Sequence, residues 1–537
     1  MKRAMFILAL GVVLVIPFLL RPARTSGPPA DRTVVVITPH NEAIRSEFGL
    51  GFQKWYREKT GKTVAVDWRV IGGTSEITRF LESEYLSSFQ NHWTHQLGKA
   101  WSSDVQGAFA NGRLAKDASP AAQEARAEFL ASDVGCGIDV FFGGASFDYE
   151  LQADAGRIVE SGLPQLHPDW FVDTVMPPSF AGQPFWDKGG RWFGAVLSNY
   201  GMIYNLDSLS RLGVPEPRAW DDLQDPRLIG EVALCDPTKS SSIAQAIENV
   251  IQEQIYREWS RLEKTTGRPR ADLEAEAVRR GWENGLHLLQ RIGANARYFT
   301  DSSQKPPIDV QQGNSAVGMC IDFYGRAEEQ SARERSGRRR LGYFSPPAGT
   351  VTSCDPIALL RGAPHRDVAL AFLEYSLSLE GQKLWNFQPG TPGGPQRFAL
   401  RRLPIRRDFY QHNEFKPYRS DPEIDAYAGE NPLVYNPAWT GDIFRETAFV
   451  VRVMCQDTHN ELVDAWRAVI AAGLPADALA EMGDLSAVSY ADARTRIKAA
   501  LNSKSKVDEV RLANELAGRF RTQYARAADL ARRHSQR

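Results

Sequence analysis

Residues 191–205, RWFGAVLSNYGMIYN, decide the architecture that we expect for this chain. They contain two short apolar segments, Trp192–Leu197 and Tyr200–Tyr204, separated by the polar pair Ser198-Asn199. Short apolar runs that are rich in aromatic and branched residues favour buried strands over a helix. One α/β pattern precedes this stretch and another follows it, so we expect it to be a hinge between two lobes. An ordinary hairpin in the core of one large domain is the alternative.

The first α/β pattern begins with a buried strand at Val34–Thr38 and ends with another at Asp139–Gly144. Between them, apolar residues at helical spacing occupy residues 42–59, and a further strand is predicted at Thr63–Val70. The glycine turn Gly72-Gly73 then opens a second helix. Strand, helix, strand and helix in this order predict a doubly wound α/β unit.

The second pattern follows the hinge stretch. A strand is predicted at Glu231–Asp236, a helix opens at Ser240–Ser242, and Ala316–Tyr324 is predicted to be another strand. The segment Val351–Leu360 has the composition of a strand that returns to the first half. The sequence therefore predicts an α/β fold with two lobes, hinge strands and a cleft between the lobes, which is where ligand sites are favoured.

The start of the chain predicts export. Lys2 and Arg3 precede an apolar run over residues 4–20, which is the pattern of a signal peptide. Arg21 and Arg24 do not fit a cleavage site, so an uncleaved membrane anchor stays open. The predicted divisions are a signal peptide or anchor (1–30), lobe 1 (33–196, with a helical insertion at about 85–135), lobe 2 (197–345), a return to lobe 1 (346–455) and a helical extension (456–537).

Composition excludes several classes of function. The 64 basic and 65 acidic residues give a net charge of −1, so no overall positive field favours nucleic acid. The five cysteines contain no CxxC pair, which argues against a zinc ribbon or a thioredoxin site. In an oxidising compartment they allow one or two disulfides, with at least one thiol left over.

Several local patterns, taken in order, resemble bacterial extracellular solute-binding proteins of ABC importers, in the ferric-iron-type branch. They span roughly residues 33–405. The patterns up to the hinge are VVVITPHNEAIRSEF (34–48), GGTSEI (72–77), DVFFGG (139–144) and the hinge stretch itself. Those after it are PRAWDDLQDPRLIGEVALCDPTKSSS (217–242), NSAVGMCIDFYG (314–325), the segment from SPPAGTVTSCDPIALL to SLEGQ (345–382) and GTPGGPQRFALRRLPI (390–405). The resemblance implies two α/β lobes that close over a ligand, and a membrane permease as partner.

The resemblance also implies candidate metal ligands. In iron-binding members a histidine in the setting of His40 binds the metal, and two adjacent tyrosines stand where this chain has Phe323 and Tyr324. Gly143-Gly144 stands where some members have a glutamate. His40 could instead orient the start of its helix, and Tyr324 could be an aromatic wall that donates a hydrogen bond.

Two helix starts predict an anion clamp from their residues alone. Thr74 and Ser75 in one lobe, and Ser241 and Ser242 in the other, offer hydroxyls and free backbone N–H groups. Plain N-caps are the alternative for each start. The full predicted binding set is Thr38, His40, Asn41, Gly73, Thr74, Ser75, Gly144, Ser146, Asn199, Ser240, Ser241, Ser242, Asp322 and Tyr324, with His40 and Tyr324 as the metal candidates.

These observations predict a periplasmic or other extracytoplasmic binding protein without enzymatic activity or a cofactor. Its ligand would be an oxyanion, an organic phosphate, or ferric iron carried as cargo with an anion. The alternatives are a hydrolase that uses His40 with Glu42 or Asp322, and a membrane-tethered sensor. The arginines of 338–340, 401–402 and 406–407 are predicted to be solvated surface, with importer docking as the weaker alternative. His92 and His95, one helical turn apart, are predicted to lie on a solvated helix face, with a metal pair as the alternative.

Overall fold

Two consecutive strands, β7 (Trp192–Ser198) and β8 (Tyr200–Asn205), belong to two different sheets and are separated only by Asn199. The computed structural model describes residues 29–428, 433–503 and 505–536. In it, β7 pairs with strands of the first lobe, and β8 pairs with strands of the second. The stretch is therefore a link between two sheets and not a hairpin. The predicted two-lobed α/β fold with hinge strands is confirmed.

The first lobe is built on a seven-stranded sheet in the order β14-β7-β13-β3-β1-β2, with β4 paired to β13. Strands β1 to β3 are parallel, and β13 is antiparallel to both β3 and β7. The bounds are β1 (Arg32–Ile37), β2 (Val64–Arg69), β3 (Val140–Phe142), β4 (Ile158–Val159), β13 (Ser353–Leu360) and β14 (Leu403–Pro404). A separate two-stranded sheet is formed by β5 (Ser179–Phe180) and β6 (Gln183–Pro184).

The helices of the first lobe follow its parallel strands. They are α1 (Glu42–Thr60), α2 (Thr74–Asn91), α3 (Ser103–Ala108), α4 (Pro120–Ala131), α5 (Ser146–Ala155) and α6 (Leu163–Leu166). The predicted insertion at about 85–135 corresponds to the end of α2 and to α3 and α4. Its aromatic residues pack together, with the Phe89 and Phe109 rings stacked at 4.7 Å between centroids. These rings belong to the main hydrophobic core, so this region is anchored to the first lobe by apolar packing.

The second lobe is built on a five-stranded sheet in the order β10-β9-β11-β8-β12. Its further strands are β9 (Val232–Cys235), β10 (Ala296–Thr300), β11 (Val317–Ile321) and β12 (Leu341–Phe344). Its helices are α7 (Leu206–Leu212), α8 (Ser241–Thr266), α9 (Glu274–Asn295), α10 (Lys305–Gln311) and α11 (Asp322–Ser336). The strand predicted to run to Tyr324 ends at Ile321, so Asp322 and Tyr324 lie in the first turn of α11.

The chain returns to the first lobe through β13 and then through α12 (Arg366–Leu377) and α13 (Leu379–Asn386). It crosses again at residues 433–436, earlier than the boundary predicted at residue 455. The Tyr435 amide donates to Ala181 of the first lobe at 2.8 Å, whereas the Asn436 amide donates to Gln252 of α8 at 2.9 Å. Helices α14 (Pro437–Thr440) and α15 (Phe444–Val451) then pack against the second lobe.

The remaining helices are α16 (His459–Ala471), α17 (Ala476–Met482), α18 (Tyr490–Asp492), α19 (Lys498–Leu501) and α20 (Lys506–Ser535). The spacing by four of Leu512, Leu516, Phe520 and Tyr524 gives α20 one buried face. The Tyr524 hydroxyl donates to the Met454 carbonyl at 2.9 Å. The extension is therefore packed onto the second lobe through its apolar face.

Two features predicted from the sequence concern the compartment of the protein, namely the signal peptide or anchor and the disulfides. The predicted signal peptide or anchor falls almost wholly on residues 1–28, outside the described residues. All five cysteines are free, and four of them are buried, so the structure contains none of the disulfides that the sequence allows among these residues. Among the described residues, none of the helices combines the length and the apolarity that crossing a bilayer requires.

Candidate ligand-binding cleft

Helix N-termini from both lobes meet in the cleft. A Cβ on Gly73, at the start of α2, would lie 2.6 Å from the main-chain oxygen of Lys239, two residues before α8. A Cβ on Gly144, before α5, would lie 2.6 Å from Cγ2 of Thr74. Only glycine allows these approaches without displacing its neighbours. The starts of α2, α5 and α8 are therefore adjacent.

The three helix starts differ in how they are capped. Gly73 and Ala145 precede α2 and α5, and neither helix has a side-chain cap. Ser240 caps α8 by accepting a hydrogen bond from the Ile243 amide. Uncapped first-turn N–H groups and the helix dipole both favour negative charge. The junction of these three helices suits an anion.

Thr74 and Ser241 are the clamp residues that lie deepest, because each is 5% exposed. Ser75 and Ser242 are only half-buried. Ser146, at the first position of α5, is buried beside Gly144. The structure thus brings together five predicted residues, Gly73, Thr74, Gly144, Ser146 and Ser241, while Ser240 acts as a helix cap.

Asp148 shares this junction and was absent from the predicted site. It lies in the first turn of α5 and is 7% exposed. Burial raises the pKa of its carboxyl to about 6, against smaller opposing effects of Ser241 and Arg445. Among the described residues, its Oδ2 has no hydrogen-bond partner. A buried carboxyl group of the protein is therefore part of this junction.

His40 lies deeper in the first lobe, after β1. Its ring contacts Phe142 with 4.7 Å between centroids, and burial lowers its pKa to about 3. Among the described residues, its Nε2 has no hydrogen-bond partner. The preceding Thr38 is fully buried, and its hydroxyl accepts the His40 amide at 3.0 Å. His40 is therefore neutral, and Thr38 serves the turn that positions it.

Asn41 of the first lobe and Tyr324 of the second lobe line the same cavity at the outer part of the cleft. The Asn41 side chain caps α1 by accepting the Ile44 amide at 3.0 Å. Burial raises the pKa of Tyr324 above its usual range. The cavity has a volume of about 480 Å³ and lies between the start of α1, helices α10 and α11, and residues 397–401.

Arg402 corrects the prediction that the arginines near residue 400 form a solvated surface. Its side chain is 0% exposed, and it donates to Asp355 at 2.7 Å and to the Ser198 hydroxyl. Its guanidinium also lies 4.3 Å from the centroid of Phe323 in the second lobe. Arg406 is also buried, whereas residues 338–340 are exposed as predicted. A charged hydrogen-bonded group thus lies where the hinge meets both lobes.

Asn199 and Asp322 lie on the second-lobe side of the hinge. The Asn199 side chain accepts the Ser345 hydroxyl at 2.9 Å, and its carbonyl accepts the Asp322 amide at 3.0 Å. Asp322 is fully buried and bonds Arg326 at 2.6 Å. These interactions order the hinge and the first turn of α11, and they leave Asp322 engaged by an arginine.

The two metal hypotheses find limited support in the geometry. Within residues 29–428, 433–503 and 505–536, no group of three or more His, Cys, Asp or Glu side chains could hold a metal ion. His95 is exposed as predicted, whereas the His92 side chain is 16% exposed and bonds Gln96 and Glu128 at 2.7 and 2.8 Å through its two ring nitrogens. Iron bound at His40 and Tyr324 would have no second phenolate from the adjacent residue, because that residue is Phe323, which packs on Arg402.

The hydrolase alternative requires His40 to be paired with Glu42 or Asp322. Glu42 is exposed, and Asp322 is bonded to Arg326. The carboxylate that acts electrostatically on the His40 ring is Asp355, which is already paired with Arg402. The described residues therefore do not form the required base and acid pair.

Sequence reasoning missed Asp148, Phe323 as a contact of Arg402, and Arg402 itself. One signal was available for Asp148, because a carboxylate shortly after a glycine turn such as Gly143-Gly144 is typical of the first turn of a helix. No comparable signal marks Arg402. Its burial depends on the pairing of β14 with β7, which local sequence does not reveal.

Residues 166–409 match the family described as bacterial extracellular solute-binding protein. An uncharacterized protein of Haemophilus influenzae is 26% identical over 247 residues, which cover 46% of this chain and 60% of that protein. The phosphoglycerate transport regulatory protein PgtC of Salmonella typhimurium is 22% identical over 189 residues, which cover 35% and 39% of the two chains. The chain thus spans less than two thirds of either relative.

One solved structure with a similar course of the chain is the periplasmic binding protein AfuA from Actinobacillus pleuropneumoniae, with exogenous fructose-6-phosphate bound. Its TM-score is 0.49 at 17% identity, and the match covers 81% of this chain and 98% of that one.

Proposed function

We propose, from the bacterial extracellular solute-binding domain that this chain carries, that the protein is the extracytoplasmic binding component of an ABC importer and takes a small anion in the cleft. An organic phosphate or another oxyanion is the ligand class that we favour. The observation that carries this proposal is the meeting of the α2, α5 and α8 N-termini from both lobes, with Gly73 against the Lys239 carbonyl. Such termini bind phosphate and carboxylate groups through backbone N–H groups and the helix dipole.

The name of the Salmonella relative, which refers to phosphoglycerate, supports an organic phosphate. The net charge of −1 does not favour a different class of ligand, since the acidic and basic residues balance. The permease would be a membrane protein that recognises the closed form. A membrane-tethered sensor would use the same cleft, and retention of residues 1–30 on the mature protein would favour it.

Ligand capture would proceed by closure of the lobes. The two lobes are linked by Asn199 between β7 and β8, by the β12–β13 connection, and by residues 433–436. A ligand that contacts both lobes favours the closed arrangement by the difference between its affinities for the closed and open states. Contacts that join the two lobes, with Gly73 against the Lys239 carbonyl and Phe323 against Arg402, support closure as the mechanism.

We expect the mature protein to become more compact when it binds its ligand. Small-angle X-ray scattering with and without saturating glycerol 3-phosphate measures this as a decrease in the radius of gyration. Sodium chloride at equal ionic strength serves as the control. An unchanged profile, in a sample that calorimetry shows to be saturated, would contradict closure and leave the anion site standing.

A second candidate, ferric iron with an anion, is favoured only by the free Nε2 of His40 and by the neighbouring hydroxyl of Tyr324. Direct binding would give a visible tyrosinate-to-iron absorption band that disappears in Tyr324→Phe. We expect no such band when ferric citrate is added, because burial raises the pKa of Tyr324 and Phe323 replaces a second phenol. A strong band that is lost in the variant would establish iron as the ligand.

A further inference from the structure

Asp148 occupies the point where the α2 and α8 N-termini meet. Asp148 is 7% exposed, and its oxygen Oδ2 is buried without a hydrogen-bond partner among the described residues. Gly144, which precedes α5, lies so close to Thr74 at the start of α2 that a Cβ on it would be 2.6 Å from Cγ2 of Thr74. The unpartnered oxygen of Asp148 therefore lies at the helix junction where the proposed anion would bind.

The charged groups around Asp148 leave it without a paired cation. On α15, Arg445 acts on it electrostatically but is exposed and forms no salt bridge with it among the described residues. Across the cleft, Lys239 lies 3.6 Å from Glu76 of α2. On β13, Asp355 is paired with Arg402. A buried carboxylate without a paired cation favours its neutral form.

An anion held by the three helix starts would increase this preference. Two negative charges in contact in a buried site cannot both persist, so one group gains a proton or moves away. A protonated carboxyl has an O–H donor, which an anion can accept. We propose, on the basis of the anion site proposed above, that Asp148 is a ligand-contacting residue whose protonated carboxyl donates a hydrogen bond to the bound anion, so that binding takes up one proton.

The alternative behaviour of the same residue is displacement. In that case ionised Asp148 would rotate away from Ser241 when the anion arrives, and no proton would be taken up. Both behaviours let Asp148→Asn bind more tightly at neutral pH, so affinity alone does not separate them. The number of protons taken up on binding separates the two behaviours.

The test is isothermal titration calorimetry of the whole protein with glycerol 3-phosphate and with sulfate at pH 7.5. Two buffers with different ionisation enthalpies, HEPES and Tris, report the number of protons exchanged. Sulfate does not titrate in this range, and a phosphate monoester, with a second pKa of about 6, is mostly a dianion. We expect the wild-type protein to take up about one proton per anion bound.

The pH dependence follows from the same linkage. Because the pKa of Asp148 without ligand is about 6, the wild-type affinity for sulfate should fall about 50-fold between pH 6 and pH 8. In Asp148→Asn the affinity should be nearly constant and proton uptake should be absent. Asp154→Asn, an exposed position on the same helix, is the matched control and should keep the wild-type uptake.

The outcomes distinguish this inference from the proposed function. Binding of either anion without proton uptake by the wild-type protein would overturn the inference and leave the anion site intact. Failure of both anions to bind would overturn the proposed ligand class, and the inference with it. Proton uptake that persists in Asp148→Asn would assign the proton to another group and would also overturn it.

Discussion

Replacement of Arg402 by methionine is expected to lower the free energy of unfolding by about 3–5 kcal/mol, because it leaves Asp355, whose side chain is only 15% exposed, without its cation. Arg402 is fully buried, and its guanidinium bonds Asp355 at 2.7 Å. The change also removes the donor to Ser198 and the contact with Phe323 across the cleft. Urea denaturation followed by tryptophan fluorescence measures the loss.

Two further variants make the Arg402 result specific. The double variant Arg402→Met with Asp355→Asn removes both charges and should recover a large part of the stability, since the cost arises from the unpaired charge. Arg340→Met removes an arginine that pairs with Asp207 on the surface and should change stability by less than about 1 kcal/mol. If Arg402→Met and Arg340→Met lost equal stability, burial of the first pair would not be the cause.

The overall fold was accessible from sequence because strands and helix starts are local signals. The hinge at 191–205 was found from two apolar runs around Ser198-Asn199, and those runs are β7 and β8. The start of α2 was predicted from the glycine turn Gly72-Gly73, and the start of α8 from the serines 240–242. A prediction of this kind needs only the pattern of about ten neighbouring residues.

The parts that failed depend on contacts between distant segments. Arg402 lies in a run of basic residues that resembles a solvated surface, yet it is buried because β14 pairs with β7. Ala316–Tyr324 was predicted as one strand, because nothing local marks the change from β11 to α11 at Asp322. The return to lobe 1 was predicted to end at residue 455, which is too far along the chain, because residues 433–436 already bond both lobes through Tyr435 and Asn436.

The helix starts that meet in the cleft were predicted from the sequence, whereas the carboxyl group beside them was not. The anion clamp came from hydroxyls at two helix starts, and the structure places Thr74 and Ser241 at a common junction. It also places a carboxyl group, Asp148, in the same junction, which changes the expected pH dependence of binding. The local sequence predicted the helix N-termini that favour an anion. The position of the Asp148 carboxyl could not be predicted in this way, because it depends on the packing of α5 between α2 and α8.

Removal of the two clamp hydroxyls is expected to weaken binding of glycerol 3-phosphate by about ten- to a hundred-fold for each single variant, Thr74→Val and Ser241→Ala. Each hydroxyl would donate one hydrogen bond to a charged ligand, worth roughly 1.5–3 kcal/mol. Most of the effect should be seen in the dissociation rate, because closure retains the ligand. Titration calorimetry and stopped-flow fluorescence measure the two quantities.

The combination of these variants tests whether the two lobes act together on one ligand. If each hydroxyl reaches the anion only in the closed state, the double variant should lose less than the sum of the single losses. Ser240→Ala is the control, since Ser240 accepts the Ile243 amide as a helix cap and should cost about 1 kcal/mol of stability with little change in affinity. Wild-type affinity in both single variants would mean that Thr74 and Ser241 only begin their helices and that the anion binds elsewhere in the cleft. Additive losses would mean that both residues contact the ligand without depending on closure.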